Sequence, residues 1–418
     1  MTGIGKSINT AALFLGIAAV SAGCTQTRTG QSMLGRTVSN NPIIVPEKYG
    51  LIEQHDIEVD LSHRQQIYLN RRYTLASVDA IENSTNLKNV SRMTDYKGAY
   101  EADSPDVSPD GNSVVYQLLG ENGNIDLWTM SAKTGLRAVR KTKGNNLNFS
   151  PTYASGGARI IFCSNRSDPS GNVWALGKGG GLRRVTDSQE TDMWAHEDPV
   201  GQSHVAFTRF QQGDPRGEIW IFDRNSYLAT QLREGRQPRI SADGKMIAFS
   251  AFDQQEGHWN IWVMNVDGSH PTQLTSNDAD NITPSWHPSG RWIIFASNRG
   301  VASANLRNMD AEIKLHNFDI WMTDFRGKQL TQLTVNGSDD RNPVFSPDGK
   351  TIYFSSNRGQ AVDVTAEDLQ TYRALGRTMN IGGVEFPVAS GRDIWRAELS
   401  GDLASKTNRS RSRQALAR

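Results

Sequence analysis

The chain has 418 residues and a formal net charge of +1, from 45 Lys and Arg against 44 Asp and Glu. This balance provides no overall basic field, which argues against nucleic acid as the main partner. Hydrophobic residues make up only 37% of the chain, too few for a protein that crosses a membrane many times. The 38 Gly, 14 Phe, 10 Trp and 10 Tyr suit a large globular core with many turns, typical of sheet-rich proteins.

The N-terminus has the pattern of a signal peptide. Lys6 precedes the apolar stretch Ala11–Ala22, whose length of about 12 residues is short of the ~20 that span a bilayer but matches a signal-peptide core. The ending Ser-Ala-Gly-Cys resembles the lipobox of bacterial lipoproteins, except that Ser21 stands where Leu is usual. The resemblance implies that Cys24 is lipidated and anchors the protein in the membrane, and Thr25 after it favours the outer membrane. The alternative is an ordinary cleavable signal in which Cys24 has no role.

One motif recurs six times along the rest of the chain. Its clearest copy reads Asn-Pro-Val-Phe-Ser-Pro-Asp-Gly over Asn342–Gly349, continues as Ile-Tyr-Phe-Ser-Ser-Asn-Arg, and ends with Asp-Ile-Trp at Asp393–Trp395. Turn glycines of neighbouring copies, such as Gly244 and Gly290, are 46 residues apart. The other copies start with an X-Pro pair at Ser104, Ser150, Asp198, Gln237 and Thr283.

Each copy predicts four short strands. The inner strand follows the Pro, a Pro-Asp-Gly turn leads to an apolar strand, and an Ile-Trp strand and a Leu-Thr strand complete the unit. Pro and Gly at fixed offsets supply turn geometry, and alternating apolar residues suit half-buried strands. Four-stranded units of about 40–50 residues repeated around an axis are typical of a β-propeller. We therefore predict an all-β fold, a six-bladed propeller of four-stranded antiparallel blades.

The repeat resembles the WD40-like repeats of TolB-like propellers over roughly residues 95–400. The resemblance implies a non-enzymatic scaffold of the cell envelope that needs no cofactor and docks envelope proteins, such as a peptidoglycan-associated lipoprotein, across one face. TolB proteins carry a separate α/β domain ahead of the propeller and no lipid anchor, so this chain is expected to be TolB-like and not a TolB. The expected organisation is a signal peptide (1–23), a linker with a closing strand (24–95), the propeller (96–400) and a basic disordered tail (401–418).

Ring closure is predicted from a strand that stands apart from the repeats. No Leu-Thr strand follows Asp393–Leu399, whereas one at Val90–Thr94 precedes the first blade. Adding this strand to the last blade would cover an exposed edge and tie the ring shut. The alternative is a degenerate seventh blade, because Gln66–Arg71 resembles the strand Arg159–Ser164.

The candidate binding surface lies where the inner strands begin. In an antiparallel meander these entry loops share a face with the loops between second and third strands, so the insertions Gly300–Asn317 and Gly359–Arg392 are expected on that face, with a short helix at Thr365–Arg373. Polar and aromatic residues that differ between blades and converge on one channel mouth can form a recognition surface. The predicted partner-binding residues are Glu101, Asp103, Asn148, Trp194, His196, Glu197, Arg236, Asn281, Arg341 and Asn342, with Gln237 and Asp340 beside them.

Residues that recur from copy to copy are predicted to be structural. Arg166, Arg299 and Arg358 follow second strands, and Asp319 and Asp393 precede the Ile-Trp pair. An Arg–Asp link that ties the strands of a blade together would explain both sets.

Enzymatic alternatives have less support. The sequence has no Gly-x-Ser-x-Gly nucleophile elbow, no P-loop and no His-Glu-x-x-His metal motif. Some similar propellers are metal-dependent lyases of oligouronides with a histidine cluster in the channel. His196 keeps this alternative open, together with glycan binding.

Overall fold

The computed structural model describes residues 82, 84–96, 101–120, 124–167, 170–211, 214, 216–276, 279–299, 318–336, 338–358, 378–381, 384–387 and 392–408. Cys24, the alternative strand Gln66–Arg71 and the stretch Thr365–Arg373 lie outside these residues, so the predictions made on them stay predictions. No helix among the described residues combines the length and apolar character that crossing a bilayer requires.

The described residues form six four-stranded antiparallel sheets, which are the blades. The strands of blades 1 to 3 are β2 Glu101–Val107, β3 Ser113–Leu119, β4 Ile125–Ser131, β5 Val139–Arg140, β6 Asn148–Tyr153, β7 Arg159–Ser164, β8 Asn172–Gly177, β9 Leu182–Arg184, β10 Thr191–Glu197, β11 His204–Phe210, β12 Glu218–Asp223 and β13 Leu228–Glu234. Those of blades 4 to 6 are β14 Arg236–Ile240, β15 Met246–Asp253, β16 His258–Asn265, β17 Thr272–Gln273, β18 Asn281–Trp286, β19 Trp292–Ser297, β20 Asp319–Asp324, β21 Leu330–Gln332, β22 Asp340–Phe345, β23 Thr351–Ser356, β26 Asp393–Leu399 and β1 Leu87–Arg92. A separate hairpin joins β24 Thr378–Ile381 to β25 Val384–Pro387, and one helix, α1, covers Gly401–Asn408.

The blades surround a common axis. Each inner strand contacts the inner strand of the next blade, and β22 of blade 6 contacts β2 of blade 1, so the ring is closed. The apolar core lies between neighbouring blades, as where Ile161 and Val173 of blade 2 pack with Val205 and Phe207 of blade 3. The predicted all-β, six-bladed propeller is therefore confirmed, and the packing explains it: a single blade buries its second face only against a neighbour.

The predicted ring closure is also confirmed. β1 pairs antiparallel with β26 and forms the outer strand of blade 6. After β1, Thr94 donates a 2.6 Å hydrogen bond to Asp393, and Arg92 donates to the same carboxylate at 2.9 Å through Nε. A Thr after the outer strand makes the same contact in other blades. Thr334 donates to Asp319 at the start of β20, and Thr142 donates to Asp126 in β4.

The predicted Arg–Asp link is wrong in its partners. Arg166 lies over the rings of Phe162 and Trp174 and donates to Asn148, the first residue of the inner strand, at 2.6 Å. Arg299 donates in the same way to Asn281, and Arg358 to Asp340. The guanidinium therefore ties the second strand to the first, because its flat face covers two aromatic rings while its edge reaches the polar strand start.

Both long insertions leave and rejoin the propeller on the face where the inner strands begin. Ser297 pairs with both Asn281 and Asp319, and Ser356 pairs with both Asp340 and Asp393, so each insertion starts and ends at the level of an inner-strand entry. The prediction of a shared face is confirmed for these attachment points.

Part of the predicted disordered tail is ordered. Residues 401–408 form α1, in which Leu403 is buried in the core of the blade 5–6 region and the Lys406 ammonium lies 5.1 Å from the centre of the Trp292 ring. One buried leucine anchors a segment whose charge pattern alone suggested a solvated tail.

Candidate functional site

Every inner strand is interrupted by one extra residue at the same position. The pairing with the second strand shifts there in all six blades, for example between Asp103 and Asp106. A Pro follows this residue in five blades. Pro has no N–H to give to the ladder, and a bulge in an edge strand is a position at which a sheet accepts it. The bulged residues have φ between 51° and 59° and are Ser104, Ser150, Trp194, Gln237, Thr283 and Asn342.

The six bulged residues line one cavity on the propeller axis. Positive φ is uncommon for residues other than glycine, and a bulge turns its side chain away from the regular strand direction. The cavity volume is about 40 Å³, enough for a few water molecules, since each needs about 10–15 Å³. The axis of the ring therefore has a narrow polar channel.

Further along the channel, two residues after the bulge, five of the six blades have a polar side chain, and these side chains form a second layer. Here Arg239 and Asp106 face each other with 3.7 Å between guanidinium nitrogen and carboxylate oxygen, and Asp106 accepts a 2.7 Å hydrogen bond from the Tyr153 N–H. Burial raises the pKa of Asp106 to about 6 despite these two favourable contacts. In the same layer the His196 Nδ1 accepts from the Ile240 N–H at 3.2 Å, and burial, with Arg239 nearby, lowers the pKa of His196 to about 3. His196 is thus a neutral channel residue.

The mouth of the channel, at the start of the inner strands, is apolar on one side. Trp194 is half-buried and meets Phe210 edge to face, with 5.5 Å between ring centres. It covers a buried cluster contributed by blades 1 to 3. A Trp that keeps part of its ring in solvent above an apolar base is a common anchor in protein interfaces. The other members of the cluster are Leu119, Ile125, Leu147, Phe149, Cys163 and Met193.

The opposite side of the mouth is charged. Asp339 accepts from Arg341 at 2.9 Å and from Arg392, while Asn342 donates to Asp103 at 2.7 Å across the junction between blades 6 and 1. Burial by itself would raise the pKa of Asp103, but Arg392 and the hydrogen bonds outweigh it and lower that pKa. Burial also lowers the pKa of Arg341, against the attraction of Asp339. The charges on this side are therefore already paired within the ring.

Three buried carboxylates, those of Asp340, Glu82 and Asp319, lie around Arg358 next to this charged side. Arg358 donates to Asp340 and, at 3.1 Å, to Glu82 of the segment before β1. Burial, followed by repulsion from Asp340 and Glu82, raises the pKa of Asp319 well above its usual value. The N-terminal segment thus joins the charged network that holds blade 6 together.

The structure brings four of the predicted partner-binding residues together around the mouth: Asp103, Trp194, Arg341 and Asn342. Three others have structural partners instead. Asn148 and Asn281 are fully buried and accept from Arg166 and Arg299, and the Arg236 guanidinium lies 3.4 Å from the centre of the Trp259 ring. Glu101 is 2% exposed at the start of β2.

The expected placement of His196 and Glu197 at the strand entry is wrong. β10 begins at Thr191, so both residues lie near its far end, and Glu197 binds Arg159 at 2.9 Å and Arg224 at 2.5 Å there. Blade 3 has Ala195 where the other five blades have Pro, and without that marker the strand was placed too late in the sequence.

Three channel-lining residues were missed by the sequence analysis: Ser104, Ser150 and Thr283. The signal was present, because each directly precedes the repeat Pro. A Pro usually marks the boundary of a strand, whereas here the bulge keeps the Pro inside it.

Among the described residues, no group of three or more His, Cys, Asp or Glu side chains is arranged to hold a metal ion. Fold and channel together define the class of this chain, a six-bladed β-propeller with a narrow polar channel on its axis.

The sequence comparisons name particular relatives. No family model matches the chain. It is 25% identical over 220 residues to the Tol-Pal system protein TolB of Francisella tularensis, covering 50% of this chain and 49% of that protein. It is 24% identical over 239 residues to the uncharacterized peptidase YuxL of Bacillus subtilis, covering 55% and 33%, and 26% identical over 260 residues to the protein Atu1656 of Agrobacterium fabrum, covering 60% and 83%. The matched region spans about half of TolB and a third of YuxL.

Solved structures to which the chain is similar include TolB from Acinetobacter baumannii, with 15% identity, 70% of this chain and 64% of that chain covered, and a TM-score of 0.49. An oligogalacturonate lyase from Vibrio parahaemolyticus has 11% identity, 77% and 96% coverage, and a TM-score of 0.47.

Proposed function

We propose that this protein is an exported, non-enzymatic binding protein of the cell envelope, lipid-anchored through Cys24 on the periplasmic side of the outer membrane. Its channel mouth docks an envelope protein, and a peptidoglycan-associated lipoprotein is the first candidate partner. The similarity to the Tol-Pal system protein TolB supports this choice of system. The signal-peptide pattern and the lipobox-like Ser-Ala-Gly-Cys sequence support the location.

The observation that carries the proposal is the division of the mouth into two unlike halves. Trp194 and the apolar cluster beneath it form one half, and the paired charges around Asp339 and Arg341 form the other. Such a surface suits a protein segment that places an apolar side chain beside Trp194 and polar groups over the charged half.

Binding is favoured over catalysis on sugars by the dimensions of the channel. A cavity of about 40 Å³ has the size of a few water molecules. The polar side chains of the second layer are also engaged within the protein, since Asp106 faces Arg239 and His196 accepts from the Ile240 N–H. An enzyme site would need such groups directed at a substrate.

The proposal is tested by replacing Trp194 with Asn. Asn adopts positive φ readily, and blade 6 already has Asn342 at the equivalent bulge with φ 51°, so the backbone should not change. We expect the affinity for the purified peptidoglycan-associated lipoprotein of the same organism, measured by calorimetry, to fall at least ~10-fold, as truncation of an aromatic anchor does.

The matched control is Tyr227→Ala, which removes an aromatic ring that is 66% exposed outside the mouth. This variant should bind as the unchanged protein does. Equal affinity of the Trp194→Asn variant, or no binding by the unchanged protein, would contradict the proposal.

A further inference from the structure

The near-neutral net charge conceals a strongly basic region. Residues 127–186 contain ten Lys and Arg and a single acidic residue, Asp168, a formal charge of +9 in a chain whose total is +1. This region runs from the third strand of blade 1 to the end of blade 2. Its basic residues are Lys133, Arg137, Arg140, Lys141, Lys143, Arg159, Arg166, Lys178, Arg183 and Arg184.

Four of these ten side chains are already engaged. Arg140 pairs with Asp126 at 2.5 Å, Arg159 with Glu197 at 2.9 Å and Arg184 with Asp187 at 2.6 Å, while Arg166 lies over two rings within blade 2. The other six are exposed and form no ion pair with any described residue. They are Lys133, Arg137, Lys141, Lys143, Lys178 and Arg183.

These six free cations lie on the outer edges of adjacent blades. Four of them, Lys133, Arg137, Lys141 and Lys143, lie before and after β5, the outer strand of blade 1. Lys178 precedes β9, the outer strand of blade 2, and Arg183 lies within it. Blades 1 and 2 pack directly on each other through Leu127 and Phe162. Blade 2 is joined in turn to blade 3, since Arg183 donates to the Tyr227 hydroxyl at 3.5 Å.

Exposed apolar side chains concentrate in the same place. Of the seven large apolar side chains that are exposed in the described part of the chain, six lie between residues 136 and 228. Those next to the free cations are Leu136, 67% exposed, Val139, 49%, and Leu182, 46%, and Tyr227 and Leu228 of blade 3 are 66% and 65% exposed. We call this surface the amphipathic rim. It consists of the outer edges of blades 1 to 3, with the six cations and the exposed side chains of Leu136, Val139, Leu182, Tyr227 and Leu228.

Cations and exposed apolar side chains on the same surface indicate one kind of partner. Phosphate-bearing polymers such as nucleic acids need cations, and stacking aromatics where bases are read, but not exposed Leu and Val. An anionic lipid bilayer satisfies both features, because its headgroups attract Lys and Arg while its interface accepts short apolar insertions. Buried apolar surface and attraction to anionic lipid add to each other.

We propose that the amphipathic rim binds the surface of an anionic lipid bilayer and orients the propeller with the edges of blades 1 to 3 against the membrane. This contact is independent of the acyl chains at Cys24 and of partner docking at the mouth. It leaves the channel mouth free, since the rim belongs to outer strands and the mouth to inner ones.

The test uses the full chain with Cys24→Ser, so that no acyl chain can hold the protein to lipid. Binding is measured by co-sedimentation with vesicles of phosphatidylcholine alone and with vesicles in which about a third of the lipid is phosphatidylglycerol. We expect at least ~10-fold tighter binding to the anionic vesicles, weakening as salt is raised.

Two variants separate the contributions of charge and apolar surface. Lys133→Glu with Arg137→Glu and Lys178→Glu should abolish the preference for anionic vesicles, and Leu136→Ser with Leu182→Ser should weaken binding at least ~3-fold with charge unchanged. The control is Arg326→Glu with Lys328→Glu, which reverses two exposed cations at the equivalent turn of blade 5 and should bind normally.

Three results would overturn the proposal. One is equal binding to both vesicle types by the unchanged protein. Another is a loss in the blade 5 control as large as in the rim variant. The third is normal vesicle binding by the leucine variant together with charge-dependent binding to a soluble polyphosphate, which would identify the rim as a polyanion site.

Discussion

His287 takes the place of a serine at the turn between first and second strands, where blades 1, 4 and 6 have Ser108, Ser241 and Ser346. Its ring is buried and meets Phe345 of the next blade edge to face at 4.7 Å. The Ser289 N–H donates to Nδ1 at 3.0 Å, which leaves the proton on Nε2 to be donated to the Gly349 carbonyl at 3.2 Å. Burial lowers the pKa of this histidine to about 4.

This lowered pKa predicts an acid-sensitive contribution to stability. Above about pH 6.5 the imidazole is neutral in folded and unfolded chains, and the contribution is fully present. As the pH falls through 6.5 toward 4, only the unfolded chain takes up a proton, so the free energy of unfolding falls, by up to ~3 kcal/mol. His287→Ser should therefore be less stable near neutral pH, where the Phe345 contact is lost, but should lose less stability on acidification.

Urea unfolding at about pH 7.5 and about pH 4.5 measures this directly. The difference in unfolding free energy between the variant and the unchanged protein reports on His287 alone. The other groups with shifted pKa values, such as His196 (lowered) and Asp106 (raised), are present in both proteins. A difference in unfolding free energy that is the same at both pH values would contradict the assignment.

At the scale of single residues, the sequence did not indicate which polar side chains are already engaged within the ring. Trp194 and Asn342 are recognisable because the residue type at their position differs from blade to blade, and such variation is visible in one sequence. Asn148 and Asn281 look equally variable, yet they accept from the recurring Arg of their own blade, Arg166 and Arg299. Only coordinates distinguish a polar residue that an Arg already occupies from one that faces solvent.

At the scale of elements, β1 is the strand on which the closed ring depends. Thr94 donates to Asp393 at 2.6 Å and accepts from the Ile394 N–H at 2.9 Å, and the Asp393 side chain is fully buried. Thr94→Val keeps the shape of the side chain and removes both hydrogen bonds. We expect the free energy of unfolding to fall by about 1–3 kcal/mol, because the buried groups that bonded to Thr94 lose a partner.

Ser91→Ala is the matched control, because Ser91 is exposed in the same strand. Urea unfolding of the two variants should separate them, and limited proteolysis should release the segment before β2 sooner in the Thr94→Val variant. A Thr94→Val protein as stable as the Ser91→Ala protein would show that β1 does not hold the ring closed.

Strand existence and order were predictable because each blade repeats the same turn and Trp signals. Strand boundaries were less so. The bulge places the repeat Pro inside the inner strand, and where Ala195 replaces it the predicted entry moved by several residues to His196 and Glu197. A bulge adds a residue without changing the hydrophobic pattern on either side, so periodicity does not reveal it.

At the scale of the whole molecule, the fold separates three surfaces: the mouth, the opposite face and the amphipathic rim. Net charge gave no indication of the rim, because the excess of Lys and Arg in blades 1 and 2 is offset by acidic residues elsewhere. The ring geometry places this excess on neighbouring outer edges, where it becomes a continuous surface.

The central claim is that an envelope protein docks at the mouth. Photo-crosslinking in living cells tests it most directly, with a photoreactive residue at Gln211 in one strain and at Val200 in another. Both positions are exposed in blade 3, but Gln211 follows β11 at the end where Trp194 and Phe210 meet, and Val200 lies in the turn at the other end of the blade. We predict a crosslink to the peptidoglycan-associated lipoprotein from Gln211 and none from Val200. A crosslink from Val200 alone, or from neither position, would contradict the account.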